Sequence, residues 1–412
     1  MRNLKINGDL FFNLGIFLLP SAFPIGGIFL LASLVISLIK NRSKLFVQKI
    51  DFLVLIFGIL LTTSNLKSFL FADHLADYKV QLSILDLTNW IPQILCFFAF
   101  GFYLNDEKKR KTFINFLLLG SVPVIFSFIT QKWFNVYGPH KTFFDLIVWF
   151  QKEPTKNNFT GLFSNANYAG FWLSLIFPFS LQAILTKKRN ILLSMFCFLI
   201  IYFSFMTGSR NAFLSLIVSA TLLIGVNSII ISGITLILFY LLISKINTFI
   251  EFNSNFIPSQ LFSKFTDLNF ENFTRFEIYK KTIELISIKP IWGWGPMSFP
   301  IIYELFDGKY QVQHTHNIFL EIAFNYGLIT TLLFLIIVCT ITYSSFNVIL
   351  FQEKANTFLN KAFLASFLAI IIFHLSDFPY YDGKVSLISW IILSALNSII
   401  KESQSQDHFN AI

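Results

Sequence analysis

Polar residues in this chain gather in a few short segments, and their side chains are of the types that bind phosphate and transfer protons. Guanidinium groups match phosphate oxygens bidentately and keep their charge. Imidazole is available as a base near neutral pH. These residue types together predict a site for a phosphorylated substrate. The candidates, in chain order, are Asn165, Asn167, Ser209, Arg210, Arg275, His314, His316 and Asn317.

The candidate cations and bases also have ordinary structural interpretations. Arg210 could lie at a membrane boundary with its charged end among lipid headgroups. Arg275 could lie at the start of a helix, on its solvated face. His314 and His316 could belong to a plain polar loop. A metal site is not predicted, because no carboxylate or cysteine near the two histidines in the sequence completes a ligand set.

The remaining polar candidates have equally simple alternatives. Asn165 and Asn167 are of the type that caps helices. Asp377 and Asp382 precede the last apolar segment, where the default expectation is a pair of solvated turn residues. Asp382 is nevertheless kept as a candidate substrate-binding residue.

The elements that must position these residues are membrane helices. Hydrophobic residues make up 55% of the 412 residues and charged residues only 13%, about half the charged fraction of a soluble domain. Lipid is the solvent that tolerates such a surface. The three cysteines lie in apolar runs and predict no disulfide framework. For the formal net charge of +9, the positions of the basic residues relative to the membrane matter more than the sum, and no nucleic-acid partner is expected.

Apolar runs of about 20 residues predict roughly twelve spans, and so an all-α, polytopic helix bundle forming one integral membrane domain over 1–412. The first run is divided by Pro20 and Pro24 into a hairpin of two helices and is expected to be retained, not cleaved. The predicted spans are 10–39 (two helices), 51–70, 86–104, 112–130, 161–185, 191–206, 210–226, 228–246, 317–346, 357–376 and 384–400.

Basic residues fix the predicted orientation. Lysine and arginine concentrate in the short loops 40–49, 105–111 and 187–189, which the positive-inside tendency assigns to the cytoplasm. Both termini are then cytoplasmic, with 401–412 a short disordered tail. The polar segments 161–167, 207–211 and 314–317 fall on the opposite face, at helix N-termini whose partial positive charge suits anions.

A large outer loop is predicted over 247–316. Within it, Thr274 and Glu277 have the spacing of a capping box, and the apolar residues that follow recur at helical spacing. We therefore expect an amphipathic helix near the outer interface, ended by Pro290.

The ordered set of motifs resembles the O-antigen ligase and polymerase superfamily. The motifs are Gly161-Leu-Phe-Ser-Asn-Ala-Asn, Thr207-Gly-Ser-Arg210, Arg275 with its helix, Pro290-Ile-Trp-Gly-Trp-Gly, His314-Thr-His316-Asn317 and Asn325-Tyr-Gly327. The resemblance implies metal-independent, inverting glycosyl transfer at the periplasmic face of the bacterial inner membrane, with no cofactor. It implies a glycan donor on undecaprenyl diphosphate and catalytic roles for Arg210, Arg275 and His316, with His314, Asn317, Asn165, Asn167, Ser209 and Asp382 binding substrate.

Three alternatives stay open on the sequence, and one is a membrane scaffold without chemistry, in which Arg210, Arg275 and His316 would lie far apart. The acceptor is lipid A–core or a similar glycolipid in a ligase, and another lipid-linked repeat unit in a polymerase. A membrane transporter, of the kind proposed for bicarbonate, should place ionisable residues along a path through the spans, whereas the polar clusters here gather at one face. The protein is expected to be a monomer or a weak oligomer.

Overall fold

The computed structural model describes residues 7–70, 76–155, 158–187, 190–226, 270–353 and 355–410. Over these ranges the chain is almost wholly helical, which confirms the all-α prediction. The helices are α1 (Gly8–Leu18), α2 (Phe23–Lys40), α3 (Lys49–Leu70), α4 (Ala76–Phe100), α5 (Glu107–Gly120), α6 (Val122–Trp133), α7 (Ala166–Thr186), α8 (Ile191–Met206), α9 (Arg210–Ile224), α10 (Phe270–Ile288), α11 (Phe299–Leu305), α12 (Ile318–Tyr326), α13 (Leu328–Phe346), α14 (Phe358–Ser376) and α15 (Gly383–Asn410). Two short antiparallel strands, β1 (His140–Thr142) and β2 (Ile147–Trp149), form a hairpin after α6.

Eight helical segments among the described residues are long and apolar enough to cross a bilayer. They are Phe23–Lys40, Lys49–Ser68, Ile84–Tyr103, Glu107–Trp133, Ala166–Thr186, Leu328–Phe351, Phe358–Ser376 and Gly383–Ser405. The helices α1, α8 and α9 are apolar but shorter. The count of about twelve is therefore not confirmed, and the predicted span 228–246 lies outside the described residues.

The first apolar run folds into the predicted helical hairpin. Helix α1 ends at Leu18 and α2 begins at Phe23 with Pro24 in its first turn, where a missing N–H costs nothing. The two helices approach closely at glycines: a Cβ on Gly15 would lie 2.6 Å from Leu30, and one on Gly26 would lie 3.0 Å from the Gly15 carbonyl. Small residues at such contacts let membrane helices pack backbone to backbone.

Helices α7, α9 and α14 pack against one another. Several of the candidate site residues lie at the ends of these three helices. Ser366 in α14 donates a hydrogen bond to the Leu175 carbonyl in α7. A Cβ on Gly170 of α7 would lie 3.1 Å from Ser209, just before α9. Because α14 packs antiparallel to α7 and α9, its C-terminus lies beside their N-termini.

The opposite end of the bundle is held by two ion pairs that fasten α15. Lys401 lies 3.0 Å from Asp51, which is 1% exposed, and Arg110 lies 2.7 Å from Glu402. These pairs are separated from Gly383, where α15 begins, by about 27 Å along the helix. The tail expected to be disordered in fact continues α15 to Asn410, because Lys401 and Glu402 tie it to the bundle.

The helix of the predicted large loop is present, but its start differs from the prediction. Helix α10 begins at Phe270, so Thr274 lies inside it and the predicted capping box is wrong. The Glu277 carboxylate instead accepts hydrogen bonds from Lys309 at 2.9 Å and Tyr310 at 3.0 Å, groups that the local sequence pattern could not reveal. The helix ends at Ile288, two residues before Pro290.

Candidate functional site

The segment from His314 to Asn317 turns sharply at the start of α12. His316 has a backbone φ of +57°, a left-handed conformation that a residue with a Cβ adopts at a cost. Its N–H donates to His314 Nδ1 at 3.2 Å, and its carbonyl accepts the Tyr279 hydroxyl of α10 at 3.0 Å. The strained backbone is thus fixed from both sides, as is common where a side chain must be aimed.

A buried carboxylate also holds this turn in place. Glu321, on the first turn of α12, is 1% exposed and accepts the Thr315 N–H at 2.9 Å. It also accepts hydrogen bonds from Asn325 at 3.1 Å and the Tyr381 hydroxyl at 2.9 Å. Together these donors satisfy both buried oxygens, and the bond from Thr315 holds the residue between the two histidines against Glu321.

Asp377 is the carboxylate around which the site is organised. It follows the last residue of α14, and its Oδ1 lies 3.1 Å from His316 Nδ1. Its Oδ2 accepts the Asn167 side-chain amide at 2.8 Å, and Oδ1 also accepts the Phe378 N–H at 2.9 Å. The expectation that Asp377 is a solvated turn residue is wrong: it is 4% exposed, because three segments distant in sequence close over it.

Burial and neighbouring charges shift the pKa values of this cluster in opposite senses. Burial alone would raise the pKa of Asp377, but the hydrogen bond and charge of His316, with the charge of His314, hold that pKa below its usual value. Burial, then the charge of His316, lowers the pKa of His314 to about 4. His314 is therefore neutral and Asp377 ionised at neutral pH.

Arg275 contributes positive charge to the same region. It is half-buried on α10, one turn before Tyr279. Its charge acts on His314 and on Tyr279, whose hydroxyl reaches the His316 carbonyl. The structure thus brings Arg275 to the histidine segment, although more than thirty residues separate them in sequence.

Arg210 is the first residue of α9, and its side chain is half-buried. The next residue, Asn211, accepts a hydrogen bond from Ser376 at 2.8 Å, and Ser376 precedes Asp377. Ser209 is buried just before α9 and donates its N–H to Thr207 Oγ1. The positive end of α9 therefore lies beside the end of α14 that carries Asp377.

Three further predicted substrate-binding residues make hydrogen bonds that hold helix starts. Asn165 caps α7 by accepting the Asn167 N–H at 2.7 Å. Asn317 caps α12 through Phe319 and donates to the Leu375 carbonyl at 2.8 Å. Asp382 accepts the Lys384 N–H at 2.9 Å at the start of α15. Their binding of substrate stays a prediction.

Asp377 brings to the two histidines in space a carboxylate that the sequence does not place near them. One ligand atom from each of His314, His316 and Asp377 lies within 4.8 Å of the others. Local sequence could not reveal this, because Asp377 is 61 residues from His316. The signal that could have found it is an acidic residue at the end of a span, on the face that the polar segments share.

The fold and the site define a helical membrane protein with a His–Asp cluster and a nearby arginine at one end of its bundle. Residues 170–335 match the family model described as O-Antigen ligase. The match confirms the resemblance to the O-antigen ligase superfamily over this segment, which includes Arg210, Arg275 and His316. No curated protein matches the chain.

Proposed function

We propose that the protein is a glycosyltransferase that moves a glycan from undecaprenyl diphosphate to a glycolipid acceptor such as lipid A–core, at the periplasmic face of the bacterial inner membrane. The family match supports a membrane enzyme of the O-antigen ligase or polymerase type. The observation that carries the proposal is the pairing of His316 with Asp377, beside Arg275, within and next to the matched domain.

In the proposed reaction the acceptor hydroxyl attacks the anomeric carbon as the bond to diphosphate breaks. The configuration at that carbon inverts, because attack and departure occur on opposite faces. His316 accepts the hydroxyl proton at Nε2. This assignment follows from geometry: a proton on Nδ1 would be shared with Asp377, which leaves the Nε2 lone pair available. The His316 side chain is 26% exposed, so an acceptor can reach it.

The leaving diphosphate gains negative charge as the glycosidic bond breaks, and a fixed cation stabilises that charge. Arg275 lies beside the histidine segment, and Arg210 opens a helix whose N-terminus adds partial positive charge at the same end of the bundle. We assign both guanidinium groups to the diphosphate. The undecaprenyl chain would then lie between the apolar helix surfaces, with entry from the bilayer.

Asp377 is a positioning residue in this scheme. It orients the His316 ring and stabilises the imidazolium that forms when the proton arrives, without contacting substrate. Asn167 and the Phe378 N–H hold the carboxylate in place, so the orientation exists before substrate binds.

The experiment that tests the function is reconstitution of the purified protein with a lipid-linked glycan donor and each acceptor class. A single glycan added to lipid A–core defines a ligase, and stepwise lengthening of the lipid-linked chain defines a polymerase. Absence of both products, together with solute flux across sealed vesicles, would favour the transporter alternative over glycosyl transfer.

A further inference from the structure

Three ligating groups come together where the sequence predicts only two. The ring nitrogens of His314 and His316 and the carboxylate of Asp377 lie within 4.8 Å of one another. One of these pairs, His316 Nδ1 and Asp377 Oδ1, is 3.1 Å apart. This grouping depends on tertiary structure alone, because Asp377 comes from the end of α14 and the histidines from the turn before α12.

The donor set and spacing fit a transition-metal ion. Two imidazoles with one carboxylate is a known zinc ligand set that leaves a fourth position for water or substrate. Bonds of about 2.0–2.1 Å in a tetrahedral site place ligand atoms about 3.3 Å apart. The His316–Asp377 spacing already matches, and no pair of ligand atoms needs to close by more than about 1.5 Å, within reach of side-chain rotation.

The ligands are held by contacts outside the cluster, as in metal sites. Asp377 accepts the Asn167 amide through the carboxylate oxygen that does not face His316, and Tyr279 fixes the His316 backbone. Such outer contacts orient ligands before an ion arrives and strengthen binding. The charge of Arg275 on His314 works in the other direction, so we expect weaker binding than at a structural zinc site.

We propose that His314, His316 and Asp377 form a binding site for one divalent transition-metal ion of the zinc class, and that the bound ion inhibits the enzyme. Metal on His316 Nδ1 leaves the ring proton on Nε2, so the imidazole can no longer accept a proton from the acceptor hydroxyl. The ion also displaces Asp377 from its pairing with the ring. The inhibition rests on the proposed function, whereas the binding does not.

The test uses the full chain in nanodiscs, purified with a tag that contains no histidine and stripped with a chelator. Co²⁺ is titrated while the visible bands of tetrahedral cobalt are recorded, and Zn²⁺ is then added to displace it. The variants are His314→Gln and Asp377→Asn, and the matched control is His140→Gln, an exposed histidine in β1. Glycan transfer is measured in parallel on the wild type.

We expect saturable cobalt bands of one ion per chain, displaced by zinc, lost in both site variants and retained in the control. Saturating zinc should slow transfer about tenfold or more, and chelator should restore it. Bands that are absent, or that persist in both variants, would overturn the site, and unchanged or faster transfer with zinc bound would overturn the inhibition. If the chelated protein transfers no glycan yet binds cobalt as described, the proposed function fails and the site stands.

Discussion

The Asp377 carboxylate lies 3.1 Å from His316 Nδ1, although the two residues are 61 positions apart and belong to different helical segments. The contact joins the end of α14 to the turn that precedes α12. Asn167 at the start of α7 completes it from a third segment. The arrangement of His316, the Asp377 carboxylate and the Asn167 amide therefore depends on how three helix ends meet.

Removing the charge of Asp377 should slow transfer without weakening donor binding. In Asp377→Asn the ring of His316 loses the carboxylate charge that fixes its tautomer and stabilises the imidazolium, so we expect kcat to fall on the order of a hundredfold while KM for the donor changes little. Steady-state kinetics of the reconstituted enzyme measure both. The matched control is Asp307→Asn, which makes the same change at an exposed residue after α11; an equal loss in both variants would remove the positioning role of Asp377.

Replacing His316 should have a larger effect than replacing any other histidine. His316→Gln removes the base, and we expect a rate loss of about 10²–10⁴-fold with normal amounts of protein in the membrane. His140→Gln changes an exposed histidine on β1 and should leave the rate unchanged. Activity of His316→Gln near that of the control would exclude the residue as the base.

The two arginines should not tolerate lysine. Lysine keeps the charge but loses the planar fork that matches phosphate oxygens, so Arg210→Lys and Arg275→Lys should each lower the rate on the order of a hundredfold. Arg42→Lys, in an exposed turn after α2, serves as the control. Unchanged turnover in either variant would remove that arginine from diphosphate stabilisation.

The ion pairs at the far end of the bundle should differ sharply in their contribution to stability. Glu402→Ala leaves Arg110 (2% exposed) buried without an anion, and we expect a loss of about 3 kcal/mol. Glu107→Ala breaks an exposed pair with Lys111 on the same helix and should cost under about 1 kcal/mol. Denaturant unfolding in detergent measures both, and equal losses would contradict the burial argument.

The turn between α12 and α13 should require glycine. At Gly327 φ is +87°, and an added Cβ would lie 1.9 Å from the Ile291 carbonyl. Gly327→Ala should therefore reduce the yield of folded protein and shift α12, whereas Gly27→Ala, with no atom within 4 Å of its Cβ, should be neutral. Thermal unfolding of both variants provides the comparison, and a neutral Gly327→Ala would mean that the turn can rearrange.

The sequence was informative where a signal is local. Apolar runs predicted the helices, Pro20 and Pro24 predicted the hairpin, and single polar motifs located Arg210, Arg275 and His316. It failed where the relevant partner is remote. The tertiary pairing of Glu277 with Lys309 replaced the capping box, and Asp377 appeared to be a turn residue because nothing near it in sequence shows that helices bury it.

The most direct measurement of the central claim is transfer of a radiolabelled glycan from undecaprenyl diphosphate by the purified protein, with and without His316. The account predicts a labelled acceptor with the wild type, in chelator, and its loss with His316→Gln while donor binding persists. It would be contradicted by a wild type that transfers glycan to neither acceptor class, or by a His316→Gln protein that transfers it at the wild-type rate.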